Sequence, residues 1–141
     1  MVLSNVIPFK RGNQSHCFYV CDGQFQESEL RDFFYGKSIF SIQSEEALRK
    51  ALVFFRPSMI LIRSDLSWAD PVNLIAEINR ISQAPIILVL KKSSPKKEET
   101  LIKKSYQAGI FDVLRLPLGR DEVKEMLELP LKLARRYPMV F

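Results

Sequence analysis

No apolar run in this sequence approaches the roughly 18 consecutive residues of a membrane span. The opening segment, MVLSNVIPFKRGNQS, has neither a continuous apolar stretch nor a small-residue cleavage site, so a cytoplasmic location without membrane insertion is expected. The chain is also poor in the residues that bind metals or make nucleophilic sites. It has two cysteines and one histidine. Cys17 and Cys21 stand four apart in an apolar run, and on a strand their Cα atoms lie roughly 13 Å apart, beyond disulfide reach. His16 abuts the same run and supplies no distant second half of a zinc site. Only five glycines occur, scattered along the chain. No Gly-rich phosphate loop, nucleophile elbow or Ser-His-Asp order is formed. The loop 23–28, GQFQES, is a poor flavin-phosphate cradle. No enzymatic activity, cofactor or metal is expected.

What remains is a chain of 141 residues, 47% of them hydrophobic, enough for one core and too short for two ordinary domains. The net charge of +5 could point to nucleic acid. Its basic clusters are diluted, however: Lys96 and Lys97 run into Glu98 and Glu99, and Arg120 into Asp121 and Glu122. That pattern describes a solvated helix surface and argues against nucleic acid as the partner.

Five short apolar runs, 17–21, 38–42, 59–62, 86–90 and 110–114, alternate with longer amphipathic segments, the signature of repeated βα units. The third and fourth are continuously apolar, as strands of a parallel sheet covered on both faces must be. The fold class is therefore α/β. Helix starts are marked by Ser44, by Asp70-Pro71 and by Ser94-Pro95, where a capping oxygen precedes the helix. Ala47, Leu48, Ala51, Leu52 and Phe55 recur on one helical face, and Leu74, Ile75, Ile78 and Ile81 on the next. Gly36 and Gly109 suit helix stops. The last helix is expected to start near Gly119 or Arg120, turn Val123, Met126 and Leu127 inward, and kink or break at Pro130, which lacks an amide donor. Residues 1–15 are expected to form a mobile arm, 16–137 the domain and 138–141 an apolar tip.

Three stretches carry a resemblance. Arg56-Pro57-Ser58-Met59-Ile60-Leu61-Ile62 and Ala84-Pro85-Ile86-Ile87-Leu88-Val89 look like the approaches to two central strands. Ala108-Gly109-Ile110-Phe111-Asp112-Val113-Leu114-Arg115-Leu116-Pro117-Leu118, followed by Arg120-Asp121-Glu122-Val123, has the Ala-Gly, strand, Pro and acidic helix start of a fifth βα unit. Together they resemble the receiver domain of bacterial two-component response regulators, over nearly the whole of residues 16–136. The resemblance implies a doubly wound five-stranded parallel sheet of flavodoxin-like order. It also places an active site that this sequence does not fill. Arg63 stands where the family has its phosphoacceptor Asp, Leu90 where it has a hydroxyl, Leu116 where it has a Lys, and Val113 where it has an aromatic switch. Of the acidic pair for Mg²⁺ only Asp22 remains, beside Cys21. Such a domain, a pseudo-receiver, is expected to signal by protein contact instead of phosphorelay.

Two uses of these residues are open. An Asp22–Arg63 salt bridge would close the vacated site; alternatively Arg63, with Asp22, Asp65 and Lys91, would line a crevice for a small anionic ligand. Asp65, two residues past the acceptor position, reads as a loop carboxylate. The interaction candidates are Lys103, Lys104, Tyr106 and Arg115, on the face made by the helix after the fourth strand, the fifth strand and the last helix, which the resemblance marks as an output face. Trp68 either anchors a partner or folds down over the helix that follows it. The expected partner is an acidic protein or a second copy of the chain.

Overall fold

The computed structural model describes residues 16–23, 30 and 38–136. Its strands are β1 (His16–Val20), β2 (Ser38–Ile42), β3 (Met59–Arg63), β4 (Ile86–Leu90) and β5 (Asp112–Arg115). Its helices are α1 (Glu45–Phe54), α2 (Pro71–Ile81), α3 (Pro95–Ala108) and α4 (Arg120–Arg136). All strand pairs are parallel, in the order β2-β1-β3-β4-β5, the flavodoxin-like order expected.

The apolar runs dictate this layering. Met59, Ile60, Leu61 and Ile62 of β3 and every residue of β4 are buried, because both sheet faces are covered. Alternation along the strands divides the core in two. Phe18, Val20, Ile60, Ile62, Ile86, Leu88 and Leu90 meet Leu48 of α1 and Leu74, Ile75 and Ile78 of α2. Cys17, Tyr19, Met59, Leu61, Ile87 and Val89 face the other way, against Leu30 and against Val123 and Leu127 of α4. Removing one of these aliphatic side chains, as in Leu61→Ala, costs about 2–5 kcal/mol.

The helix starts lie where the sequence places them. Ser44 accepts from the Ala47 amide at 3.1 Å, Asp70 from Asn73 at 3.0 Å and Ser94 from Lys97 at 3.4 Å. Gly109 ends α3 at φ 118°, and a Cβ there would stand 2.4 Å from the Asn79 side chain, so both the backbone and its neighbour call for glycine. The Leu116-Pro117 peptide is cis.

Four expectations are corrected. β5 begins at Asp112, two residues later than the apolar run, because Ile110 and Phe111 form the entry to the strand. Ala47 is exposed, since it lies in the first turn of α1 beside the core-facing Leu48. Ile81 is 68% exposed, because it is the last residue of α2, where the chain turns away toward β4. The break expected at Pro130 does not occur, since α4 continues to Arg136: proline removes a single backbone donor, and one missing amide need not end a helix. The expected arm at 1–15, the Gly36 stop and the tip at 138–141 lie outside the described residues.

Candidate functional site

In a parallel sheet the carboxyl ends of all strands share one edge, where open α/β folds place their crevices. The topology brings Asp22 after β1, Arg63 at the end of β3, Leu90 at the end of β4 and Leu116 after β5 to that edge. The four residues singled out on the strand ends therefore share one edge of the sheet, with β3 and β4 standing between β1 and β5.

Their contacts differ from the expected salt bridge. Arg63 falls on the same sheet face as Tyr19, and its guanidinium grips Asp65 through two bonds, Nε to Oδ1 at 3.0 Å and Nη2 to Oδ2 at 2.8 Å. Nη1 donates to the Tyr19 hydroxyl at 3.4 Å. Burial works against the Arg63 charge, but the hydrogen bonds it donates to Tyr19 and Asp65 outweigh it and raise the pKa above the ordinary arginine value. The cation is thus permanent and held by fork-to-carboxylate geometry. Asp65 wins over Asp22 because the turn after β3 returns it directly to the Arg63 fork, two residues away.

Asp22 does a different job. Both its oxygens accept from the Ser67 amide, at 2.9 and 3.0 Å, while the Trp68 indole donates to the Cys21 carbonyl at 3.2 Å. The loop after β3 is tied over the end of β1 at two adjacent points. It is tied to β4 as well: the Ser64 amide donates to the Val89 carbonyl at 2.9 Å, and the Lys91 amide to the Ser64 hydroxyl at 2.8 Å. Trp68 is half-buried against the α1–α2 core, the inward alternative of its two expected placements. Its amphipathic ring fills apolar space and its N–H finds the nearest carbonyl.

The Mg²⁺ that the family resemblance implies wants several oxygen ligands. Asp22 has Cys21 for a neighbour, its carboxylate already caps Ser67, and Arg63 stands at the third position, so these residues do not fit the ion. Leu90 is buried in the core and Leu116 is half-buried against the α4 side; neither offers charge or hydroxyl. Val113 packs against the opposite face.

The interaction candidates separate. Lys103 lines a cleft of about 420 Å³ toward β5 with Pro95, Glu98, Ile102 and Arg115. Tyr106, 47% exposed, reaches β5 too, its hydroxyl donating to Asp112 at 3.2 Å. Arg115 is not a free cation, since it pairs with Glu98 at 2.8 Å. Lys104 lies on the other flank of α3, in a groove facing α2. A lysine pair that is adjacent in sequence is split by the roughly 100° per residue of a helix.

A feature the sequence reading missed lies at the opposite edge. Val53 at 78% exposure, Phe54 at 53% and Ile81 at 68% surround a cleft of about 400 Å³ between the ends of α1 and α2. The run Leu52-Val53-Phe54-Phe55 held the signal, because four successive apolar residues cannot all share one helical face.

No protein-family model matches the sequence, and no curated protein does. Solved structures do match. The signal receiver domain of an HD domain-containing protein from Pseudomonas fluorescens superposes with TM-score 0.74 at 17% identity, covering 92% of this chain and 97% of that one. A two-component response regulator from Clostridium difficile gives 0.72 at 18% identity, over 84% and 97%. The signal receiver domain of a modulated diguanylate cyclase from Desulfovibrio desulfuricans gives 0.68 at 21% identity, over 88% and 98%. At these identities the likeness is one of fold.

Proposed function

The chain has the fold of a response-regulator receiver domain, and we propose that it is a receiver-like signalling module that takes no phosphoryl group and acts by contact with another protein. The observation that carries this reading is the Arg63–Asp65 fork at the end of β3. An acyl phosphate forms on a carboxylate, and the position at that strand end holds a guanidinium. The surrounding residues agree: Leu90 and Leu116 would leave a phosphoryl group with neither hydroxyl nor cation. Asp65 is a poor substitute acceptor, since its oxygens are held by Arg63.

The alternative, a sensor of small anions at the same edge, is disfavoured by the same fork, which neutralises the cation such a ligand would need. Partner contact is instead assigned to the flank made by α3, β5 and α4, where Lys103, Tyr106 and Arg115 gather. A cytoplasmic role without catalysis fits this module, and among the described residues no helix is long and apolar enough to cross a membrane.

Incubation with acetyl phosphate and Mg²⁺ followed by intact-mass measurement tests the reading. The expected spectrum is that of the unmodified protein. A stoichiometric, base-labile phosphoryl adduct on Asp22 or Asp65 would overturn it.

A further inference from the structure

Helix α3 carries Lys96, Lys97, Lys103 and Lys104, and the fold sorts them by direction. Lys103 joins the cleft toward β5, where Glu98 and Arg115 already pair. Lys96, Lys97 and Lys104 line a groove of about 700 Å³ between α2 and α3, whose apolar surface comes from Val72 and Leu101. Its one carboxylate, Asp70, caps α2 through the Asn73 amide. Among the described residues none of these three lysines has an ion-pair partner. The β5 flank is thus largely charge-compensated, while the α2 flank carries three lysines against one carboxylate around an apolar centre.

We propose that the groove between α2 and α3 receives a short acidic segment of a partner protein, its carboxylates against Lys96, Lys97 and Lys104 and an aliphatic side chain over Val72 and Leu101. Charge complementarity of this kind steers association and fixes register. Nucleic acid is the weaker fit: no aromatic ring or guanidinium lines the groove to stack on bases. A second copy is weaker too, because the exposed acids of α4, Asp121, Glu122 and Glu125, are interleaved with Arg120 and Lys124. The inference rests on the protein-contact reading above but names a different surface from the α3–β5–α4 flank.

A fluorescein-labelled synthetic peptide made of Glu-Glu-Leu repeats is the probe, titrated into the full chain and followed by anisotropy and by amide NMR shifts. Shifts are expected at Val72, Asn73, Thr100 and Leu101, with affinity falling as salt rises. Lys97→Glu and Lys104→Glu each remove the same charge as Lys103→Glu. The first two are expected to weaken binding about tenfold and the third less than about twofold, because only contact charges act beyond the general field. All three sites are exposed, so the variants should fold. Equal losses in the three variants would overturn the proposal, as would absent binding or shifts confined to Lys103 and Arg115. An oligothymidine that binds the same amides more tightly than the peptide would overturn it in favour of nucleic acid, and peptide-competed self-association in favour of a second copy. The two proposals fail separately: a phosphoryl adduct alongside groove shifts sinks only the unphosphorylated reading, and an unmodified protein without groove shifts sinks only this one.

Discussion

Ser105 is wholly buried on α3, and among the described residues its hydroxyl has no hydrogen-bond partner. Its backbone is well used, since the carbonyl accepts from both the Gly109 and Ile110 amides, so only the side chain is anomalous. Leaving a hydroxyl dry and unpaired costs about 1–3 kcal/mol, and alanine is the better helix former. Ser105→Ala is therefore expected to raise stability by about 1 kcal/mol, read as a higher urea midpoint at unchanged slope. A lower midpoint would show that the hydroxyl has a partner in solution. Cys17 shows the opposite case, a polarizable group at ease in the core. Burial pushes its thiol well above the ordinary cysteine range, so it stays protonated and inert. Cys21, likewise in no disulfide, lies four residues on, just past the end of β1.

At the scale of an element, α3 is anchored at its start by Glu98. The carboxylate accepts from the Ser93 amide at 2.7 Å and from Arg115 at 2.8 Å, joining the helix start to β5. The Ser93 amide, then Arg115, holds Glu98 below the ordinary carboxylate pKa of 4.5. A group whose folded pKa is depressed contributes stability above its unfolded pKa and loses it as pH falls through the folded value. The stability difference between wild type and Glu98→Gln should therefore be full near neutral pH and shrink below about pH 4. Urea midpoints of both proteins across that range check it, and a difference that persists into strong acid would exclude the ionic account. Strands and caps like these were legible in the sequence, because they depend on local pattern: apolar runs, Ser94-Pro95, Gly109. The ends were less so. Ile81 kept the period of α2 but lies where the helix leaves the sheet, and Pro130 broke a local rule without ending α4. The site was legible as a set of positions, since topology alone brings Asp22, Arg63, Leu90 and Leu116 to one edge. Its pairing was not, because whether Arg63 meets Asp22 or Asp65 depends on the course of one turn. The unpaired lysines between α2 and α3 were hidden for the same reason: sequence shows that Lys103 and Lys104 are adjacent, and only packing shows that they face different neighbours.

For the whole molecule, the carboxyl edge of the sheet is closed by ties between separate strands. Arg63 joins β3 to Tyr19 of β1, Asp22 and Cys21 hold the loop after β3, and Ser64 binds that loop to β4. Because the ties are mutual, the proposed reading predicts that an aspartate restored at position 63 alone gives no phosphorylatable domain. Arg63→Asp removes a cation that serves both Asp65 and Tyr19 and places a third carboxylate beside Asp22 and Asp65, which raises like-charge repulsion. The lost pair is part-buried, so the variant is expected to be about 1–3 kcal/mol less stable at neutral pH. Leu90 and Leu116 would still leave an acyl phosphate without hydroxyl or cation, so incubation with acetyl phosphate and Mg²⁺ is expected to leave the variant unmodified over the time in which a functional receiver titrates. The same experiment on Arg63→Asp combined with Leu90→Ser and Leu116→Lys separates the contributions: any adduct should require the added cation and hydroxyl. Rapid Mg²⁺-dependent phosphorylation of the single variant would show that the acceptor alone limits the chemistry, and that the leucines at the ends of β4 and β5 matter less than their burial suggests.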